Sequence, residues 1–123
     1  MPVELNHIIV PSRQKHASAR LLADLLGLDP PREVSHFVAV EVANGVTLDF
    51  DDAEEFASHH CAFLVTDAEF DAIFGRVNAA GITYYADPNH TAPGVVNGRA
   101  GGRGFYWSDP DGHNMEVFTK APL

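Results

Sequence analysis

The sequence has little of several features that mark particular classes of protein. It contains a single cysteine, Cys61, so no internal disulfide can form. Lysine and arginine total 8 against 17 aspartates and glutamates, and the resulting net charge of −9 disfavours nucleic acid and anionic membranes as partners. No apolar run approaches the roughly 20 residues of a membrane helix, and residues 1–10 lack the pattern of a secretory signal. These absences predict a cytoplasmic protein.

What is present is typical of one globular domain. The 123 residues fall within the usual domain size of about 100 to 150 residues. The composition, 46% hydrophobic and 20% charged, is near the average for folded proteins. A chain of this length buries enough surface to form its own core. We therefore expect one domain over residues 1–123.

The chain begins with a pattern typical of a strand followed by a helix. Residues 2–10 are rich in β-branched side chains and are followed by Pro11, which predicts a strand that stops there. Ser12 is a candidate N-cap for a helix running to Leu26. Gly27 stands where a left-handed C-cap is expected.

Two more strands and a hairpin complete the first half. Residues 36–42 alternate between two faces, which predicts a strand. Asn44 and Gly45 form the strongest short hairpin signal in the chain, and residues 46–50 supply the returning strand. The acidic stretch 49–55 reads as a solvated loop.

The second half repeats this order. Residues 59–65 predict a strand, and Thr66 with Glu69 forms the capping-box pattern before a helix that Gly81 ends. The proline- and glycine-containing stretch 87–102 predicts a long loop of the kind usually kept for function. The remaining strands are predicted over residues 82–86, 103–108 and 114–119, the last two joined by a turn at 109–112.

The two halves align as copies of one unit. Placing His7 on His60 brings Gly27 close to Gly81, and each half closes on a strand with one carboxylate before aromatic residues. The fold class is therefore α+β, with two βαβββ modules over about residues 1–57 and 58–123. The carboxylates are Asp49 and Glu116.

The repeat also predicts a metal site. If each first strand supplies a histidine and each last strand a carboxylate, His7, His60, Glu116 and Asp49 would converge on one concave surface. Imidazoles with carboxylates and open positions suit iron, manganese, zinc, nickel or cobalt better than magnesium or calcium. A histidine alone in a strand is more often a hydrogen-bonded or surface residue, and Asp49 could equally be solvated. Cys61 reads as a small buried hydrophobe.

Three segments resemble the signature strands of the vicinal oxygen chelate superfamily. They are residues 5–10 (LNHIIV), 60–65 (HCAFLV) and 105–118 (FYWSDPDGHNMEVF). This superfamily includes glyoxalase I, bleomycin-resistance proteins, fosfomycin-resistance thiol transferases and extradiol dioxygenases. The resemblance implies paired modules that form a half-open barrel around a divalent metal, and it suggests a homodimer.

The resemblance also implies roles for individual residues. His7, His60 and Glu116 would be the metal ligands, and Asp49 stands at the position of the fourth ligand in members with four. For substrate contacts, Arg103 follows two glycines and could pair with a carboxylate or phenolate oxygen, although it could equally be solvated. Glu116 and Tyr106 are the candidate catalytic groups, Tyr106 as a proton donor, with core packing as the alternative reading of the tyrosine.

The reaction stays open at the level of sequence. Three ligands favour dioxygenase or thiol-transferase chemistry, whereas a ligating Asp49 favours glyoxalase or epimerase chemistry. The few cations argue against a fosfomycin-type enzyme. A non-catalytic protein of the bleomycin-resistance type, sequestering an aromatic or cationic molecule, is the main alternative to a metal-dependent enzyme. A plain interaction module is the third hypothesis, and whether the metal site lies within one chain or across a dimer stays open.

Overall fold

The computed structural model describes residues 2–122, which form two compact units that divide between Ala57 and Ser58. Each unit has its own sheet and its own long helix. No helix among residues 2–122 has the length and apolar character needed to cross a membrane.

The first unit has the predicted βαβββ order. Its sheet has the strand order β1-β4-β3-β2, in which β1 and β4 run parallel and the other neighbours are antiparallel. The elements are β1 (His7–Ser12), α1 (Lys15–Leu26), β2 (Arg32–Val34), β3 (Phe37–Glu41) and β4 (Thr47–Asp52).

The helix α1 packs on one face of this sheet because its apolar residues recur at helical spacing. Leu22 and Leu25 are buried, together with Val10 of β1 and Phe50 of β4. The predicted C-cap is confirmed, since Gly27 adopts a left-handed conformation with φ 70°. This packing leaves the opposite face of the sheet available for a site.

Two predictions about the start of the chain are wrong. The strand does not stop at Pro11 but continues to Ser12, which is tolerated because β1 is an edge strand that pairs only with β4. The helix is not capped by Ser12; its N-cap residue is Gln14, which has no side-chain cap bond. The Ser12 hydroxyl instead accepts a hydrogen bond from the Gln14 backbone N–H at 3.0 Å.

The prediction of a solvated loop over residues 49–55 is also wrong in its first half. The strand β4 extends to Asp52, because its acidic side chains find cationic or imidazole partners. Asp52 lies 3.2 Å from the Lys15 ammonium, and Asp51 lies 3.1 Å from His36 Nδ1. The short strand β2, which the sequence did not predict, pairs with β3 beyond the two prolines at 30 and 31.

The second unit has a three-stranded sheet of order β5-β7-β6. Strands β5 and β7 are parallel, whereas β6 and β7 are antiparallel. The elements are β5 (His60–Leu64), α2 (Asp67–Ala79), a single 3₁₀ turn at Arg99–Gly101, β6 (Gly104–Ser108) and β7 (Asn114–Phe118).

The helix α2 begins as predicted. The Thr66 side chain accepts from the Glu69 backbone N–H, and the Glu69 carboxylate accepts from the Thr66 backbone N–H, so the capping box is complete. The helix buries Phe70, Ile73 and Val77. Phe70 meets Phe105 of β6 edge to face, with ring centroids 5.4 Å apart.

The predicted strand over residues 82–86 is wrong. Only Tyr85 pairs, in isolated bridges to Tyr106 and Pro93. The chain cannot extend this pairing because it turns at once into the 87–102 loop, where the Asp87 carboxylate accepts from the backbone N–H groups of Thr91 and Ala92.

Candidate functional site

The face of the second sheet opposite α2 carries the predicted histidine and carboxylate. In register, His60 pairs with Asn114, and Ala62 pairs with Glu116. Tyr106 of β6, the strand on the other edge of β7, pairs with Glu116. Because side chains alternate along a strand, these residues share one face, whereas Cys61 and its cross-strand partner Met115 turn to the core. The local strand pattern thus places an imidazole, a carboxylate and a phenol side by side.

His60 and Glu116 contact each other directly. Nε2 of His60 lies 3.1 Å from Oε1 of Glu116, and Nδ1 of His60 lies 3.1 Å from the Asn114 carbonyl oxygen. A carbonyl only accepts, so Nδ1 carries the hydrogen and Nε2 of the neutral ring presents a lone pair. Two acceptors then face each other at Nε2 and Oε1. A cation shared by both atoms, either a proton or a metal ion, resolves this conflict.

Tyr106 joins the same group from β6. Its ring stacks on His60 with centroids 5.8 Å apart, and an N–H of Arg99 donates to its hydroxyl oxygen. Burial, followed by the Glu116 carboxylate, raises the pKa of Tyr106, although Arg99 opposes this shift. The phenol is therefore protonated at neutral pH. Because its oxygen already accepts from Arg99, its own hydrogen is directed to another acceptor.

The first unit repeats the histidine and carboxylate pair. His7 pairs in register with Thr47, and Ile9 pairs with Asp49, so Asp49 stands two positions along from His7 on the same face. His60 and Glu116 have the same relation on β5 and β7. Asp49 is 8% exposed, and its Oδ1 atom has no hydrogen-bond partner among the described residues. The predicted solvation of Asp49 is wrong.

The donor atoms fit a transition metal. Nδ1–H of His7 donates a hydrogen bond to the amide oxygen Oδ1 of Asn6, at 2.8 Å. Nε2 of His7 is then left with a lone pair, as in His60. An unpartnered buried carboxylate oxygen of Asp49 and a carboxylate oxygen of Glu116 complete two N,O pairs, the donor types that zinc, iron and manganese accept. Within residues 2–122, neither unit collects three or more potential ligands by itself.

Arg103 does not line the surface that holds Glu116. Its guanidinium pairs with the carboxylates of Asp67 and Asp71 on α2, at 3.0 and 2.8 Å, and lies over the Phe70 ring at 4.3 Å. The arginine beside Tyr106 is Arg99, which the sequence analysis missed. The only available signal was its position in the long loop that we predicted to be functional.

Cys61 lies on the buried face, as predicted. Burial, with a smaller contribution from the Asp109 carboxylate, raises the pKa of its thiol to about 11. The thiol is therefore neither a metal ligand nor a nucleophile near neutral pH.

Comparison with solved structures identifies relatives over nearly the whole chain. "Oxidase ChaP-H1" is 51% identical, with 97% of each chain covered and a TM-score of 0.95. "Oxidase ChaP-H2" is 50% identical, covering 98% of this chain and 96% of its own, with a TM-score of 0.96. A glyoxalase/dioxygenase from Nostoc punctiforme shares the fold at 21% identity and a TM-score of 0.72, covering 96% of this chain and 91% of its own.

The chain belongs to the same family as these two half-identical proteins and has the fold of the vicinal oxygen chelate superfamily. The fold predicted from the sequence is thereby confirmed. No family model matches the chain, and no curated protein matches it. The two half-identical relatives described above are both named oxidases.

Proposed function

We propose that this chain is a metal-dependent oxidase acting on a small organic molecule that presents two neighbouring oxygens. The observation that carries the proposal is the contact between His60 Nε2 and Glu116 Oε1 at 3.1 Å, which brings an imidazole nitrogen and a carboxylate oxygen within reach of one metal ion. The names of the two half-identical relatives favour oxidation over the other reactions that the sequence left open.

The proposed ligands are His60, Glu116 and His7, with Asp49 as a fourth, in one chain or across a homodimer. Iron, manganese, zinc, nickel and cobalt all suit these donors. Bound there, such a metal would supply Lewis acidity toward the substrate oxygens and, if redox-active, a path for electrons to dioxygen. The Asn114 carbonyl orients His60 for this role, because it holds Nδ1–H and turns the Nε2 lone pair outward.

Tyr106 is proposed as the proton donor or hydrogen-bond donor to the substrate. Its raised pKa keeps the phenol protonated. The hydrogen bond from Arg99 occupies its oxygen and the O–H is directed to the Glu116 carboxylate, so a substrate oxygen that takes the place of this acceptor would receive the hydrogen. Arg103 has no such role in this proposal, because it is held by two carboxylates of α2.

A second candidate is lyase or isomerase chemistry of the glyoxalase type. The buried Asp49 carboxylate favours it, because the superfamily resemblance associates a fourth ligand at this position with that chemistry. Sequestration of a cationic drug is less favoured, since Arg99 and Lys120 would repel such a ligand beside Glu116.

Metal analysis tests the proposal. We expect wild-type protein to bind one transition-metal ion per site, and we expect His60→Ala and Glu116→Gln each to weaken that binding by more than about 100-fold, since each removes a direct ligand. Titration of metal-free protein with Zn²⁺ and Fe²⁺ by calorimetry measures this. His16→Ala is the matched control, because His16 is an exposed imidazole paired with Glu33.

Unchanged metal affinity in His60→Ala and Glu116→Gln would overturn the metal site. Oxygen consumption with a panel of catechols and hydroxyquinones then separates the reactions. Turnover without loss of oxygen supports the lyase candidate, whereas ligand binding that is indifferent to metal and to His60→Ala supports the sequestering alternative.

A further inference from the structure

A cavity of about 320 Å³ opens in the second unit beside Glu116. This volume is at the small end of the range for ligand sites, so it suits a molecule of about two fused rings. Three strands, β5, β6 and β7, and two further segments form its walls. The lining residues are Ala62, Asn97, Arg99, Ala100, Tyr106, Glu116, Phe118, Lys120 and Pro122.

The walls are mostly apolar, with two cations and the carboxylate of Glu116 among them. Ala62, Phe118 and Pro122 supply apolar surface, whereas Arg99 and Lys120 supply two cations. The ammonium of Lys120 lies about 4.0 Å from where a side chain on Gly101 would begin, two residues beyond Arg99. The Lys120 ammonium thus lies against the same turn that carries Arg99.

These two cations stand out in a chain that has acidic groups in excess. Among the described residues, neither Arg99 nor Lys120 forms an ion pair, whereas Arg103 pairs with Asp71 at 2.8 Å and Lys15 pairs with Asp52 at 3.2 Å. The net charge of −9 makes unpaired cations facing a cavity informative. Glu116 supplies one negative charge to the same cavity, so the two cations exceed it by one and favour an anion as the ligand.

The loop holds Arg99 in place by its own hydrogen bonds. Asn97 pairs with Gly104 at the start of β6, and its side-chain oxygen accepts from the Arg99 backbone N–H at 3.2 Å. Gly102 lets the turn approach β7, because a side chain there would meet Thr119 Oγ1 at 2.7 Å. Arg99 is therefore positioned before a ligand binds, with one N–H on Tyr106 and further donors of its guanidinium remaining.

We infer that this cavity selects an apolar substrate bearing a carboxylate, and that Arg99 and Lys120 are the specificity-determining residues. The inference rests on the proposed function for calling the ligand a substrate. A guanidinium matches the two oxygens of a carboxylate in a fork geometry that a neutral amide cannot reproduce. The carboxylate faces the cations, and the apolar body lies between Phe118 and Ala62.

The test compares two probes of one shape on metal-free protein. Neither 2-naphthoate nor 2-naphthamide presents the two neighbouring oxygens of the proposed substrate, so calorimetric titration of chelator-treated full-length chain reports on the cavity alone. We expect naphthoate to bind about tenfold more tightly than naphthamide. Arg99→Gln should remove most of that preference, Lys120→Gln part of it, and Arg20→Gln none, because Arg20 is an exposed arginine of α1.

Raising the salt concentration should narrow the naphthoate preference of the wild type, because screening weakens an exposed charge contact. Equal affinity for the two probes, no measurable binding of naphthoate, or an unchanged preference in Arg99→Gln would each overturn the inference. Metal titration of the same preparations separates the two proposals. A naphthoate preference without metal binding would overturn the proposed function alone, whereas metal binding without the preference would overturn the inference alone.

Discussion

Asp49 shows how a single residue can carry both a cost and a function. Its Oδ1 atom is buried without a hydrogen-bond partner among residues 2–122, and an unsatisfied buried polar atom costs about 1 to 3 kcal/mol. Asp51, two residues along the same strand, has a hydrogen-bond partner in the His36 ring. The two aspartates therefore differ although they lie on the same strand, and Asp49 is the one that is prepared to bind a cation.

At this scale we predict that Asp49→Asn raises the stability of the metal-free protein. Replacing the carboxylate with a neutral amide lowers the cost of burial, so we expect a gain of about 1 kcal/mol in the free energy of unfolding. Urea denaturation in the presence of a chelator measures it. The same substitution should weaken metal binding if Asp49 is the fourth ligand.

Asp51→Asn is the matched control for this prediction. It alters an aspartate that is already satisfied, so we expect no gain in stability. If Asp49→Asn gives no gain in the free energy of unfolding relative to Asp51→Asn, burial of the Asp49 carboxylate has no such cost in the absence of metal and the prediction is contradicted.

At the scale of the element, helix α2 depends on its first turn. The capping box between Thr66 and Glu69 satisfies backbone N–H groups that an isolated helix start leaves without partners. Helix α1 has no side-chain cap at Gln14 and relies on buried apolar residues instead. The two helices therefore begin by different means, although they occupy equivalent places in the repeat.

We predict that Thr66→Ala lowers the free energy of unfolding by about 1 kcal/mol, because it removes the cap acceptor. Chemical denaturation followed by circular dichroism measures the change. Thr83→Ala serves as the control, since Thr83 is exposed and lies outside any helix or strand. Equal stability of the two variants would contradict the assigned role of the box.

At the scale of the whole molecule, the two units present the same pairing of functional groups. Each has a parallel pair of strands that carries a histidine and, two positions along the partner strand, a carboxylate. In both sheets the strand with the histidine, β1 or β5, lies at an edge. An edge strand leaves backbone hydrogen-bonding groups open to another chain.

We predict that the protein is a homodimer, as the superfamily resemblance suggests. Sedimentation equilibrium should give a mass twice that of one chain, and this value should hold when the chelator-treated protein is measured, because edge strands pair through the backbone and not through metal. A monomer mass at every concentration tested would contradict this prediction.

Sequence alone determined both helices and every strand except β2, and it singled out the duplication and the residues of the two histidine and carboxylate pairs. These follow from local signals: alternation in strands, the cap of α2, and Gly27 at the end of α1. The end of β1 at Pro11 and the strand over 82–86 were predicted wrongly. Whether a residue belongs to a strand depends on pairing with a partner strand, which is not a local property of the sequence.

Only the tertiary structure decided the environment of each functional group. Strand register buried Asp49, which local acidity had suggested was solvated. The path of the long loop brought Arg99, and not Arg103, to Tyr106. The physical reason is that burial and charge pairing depend on which distant segments meet, and no short stretch of sequence contains that information.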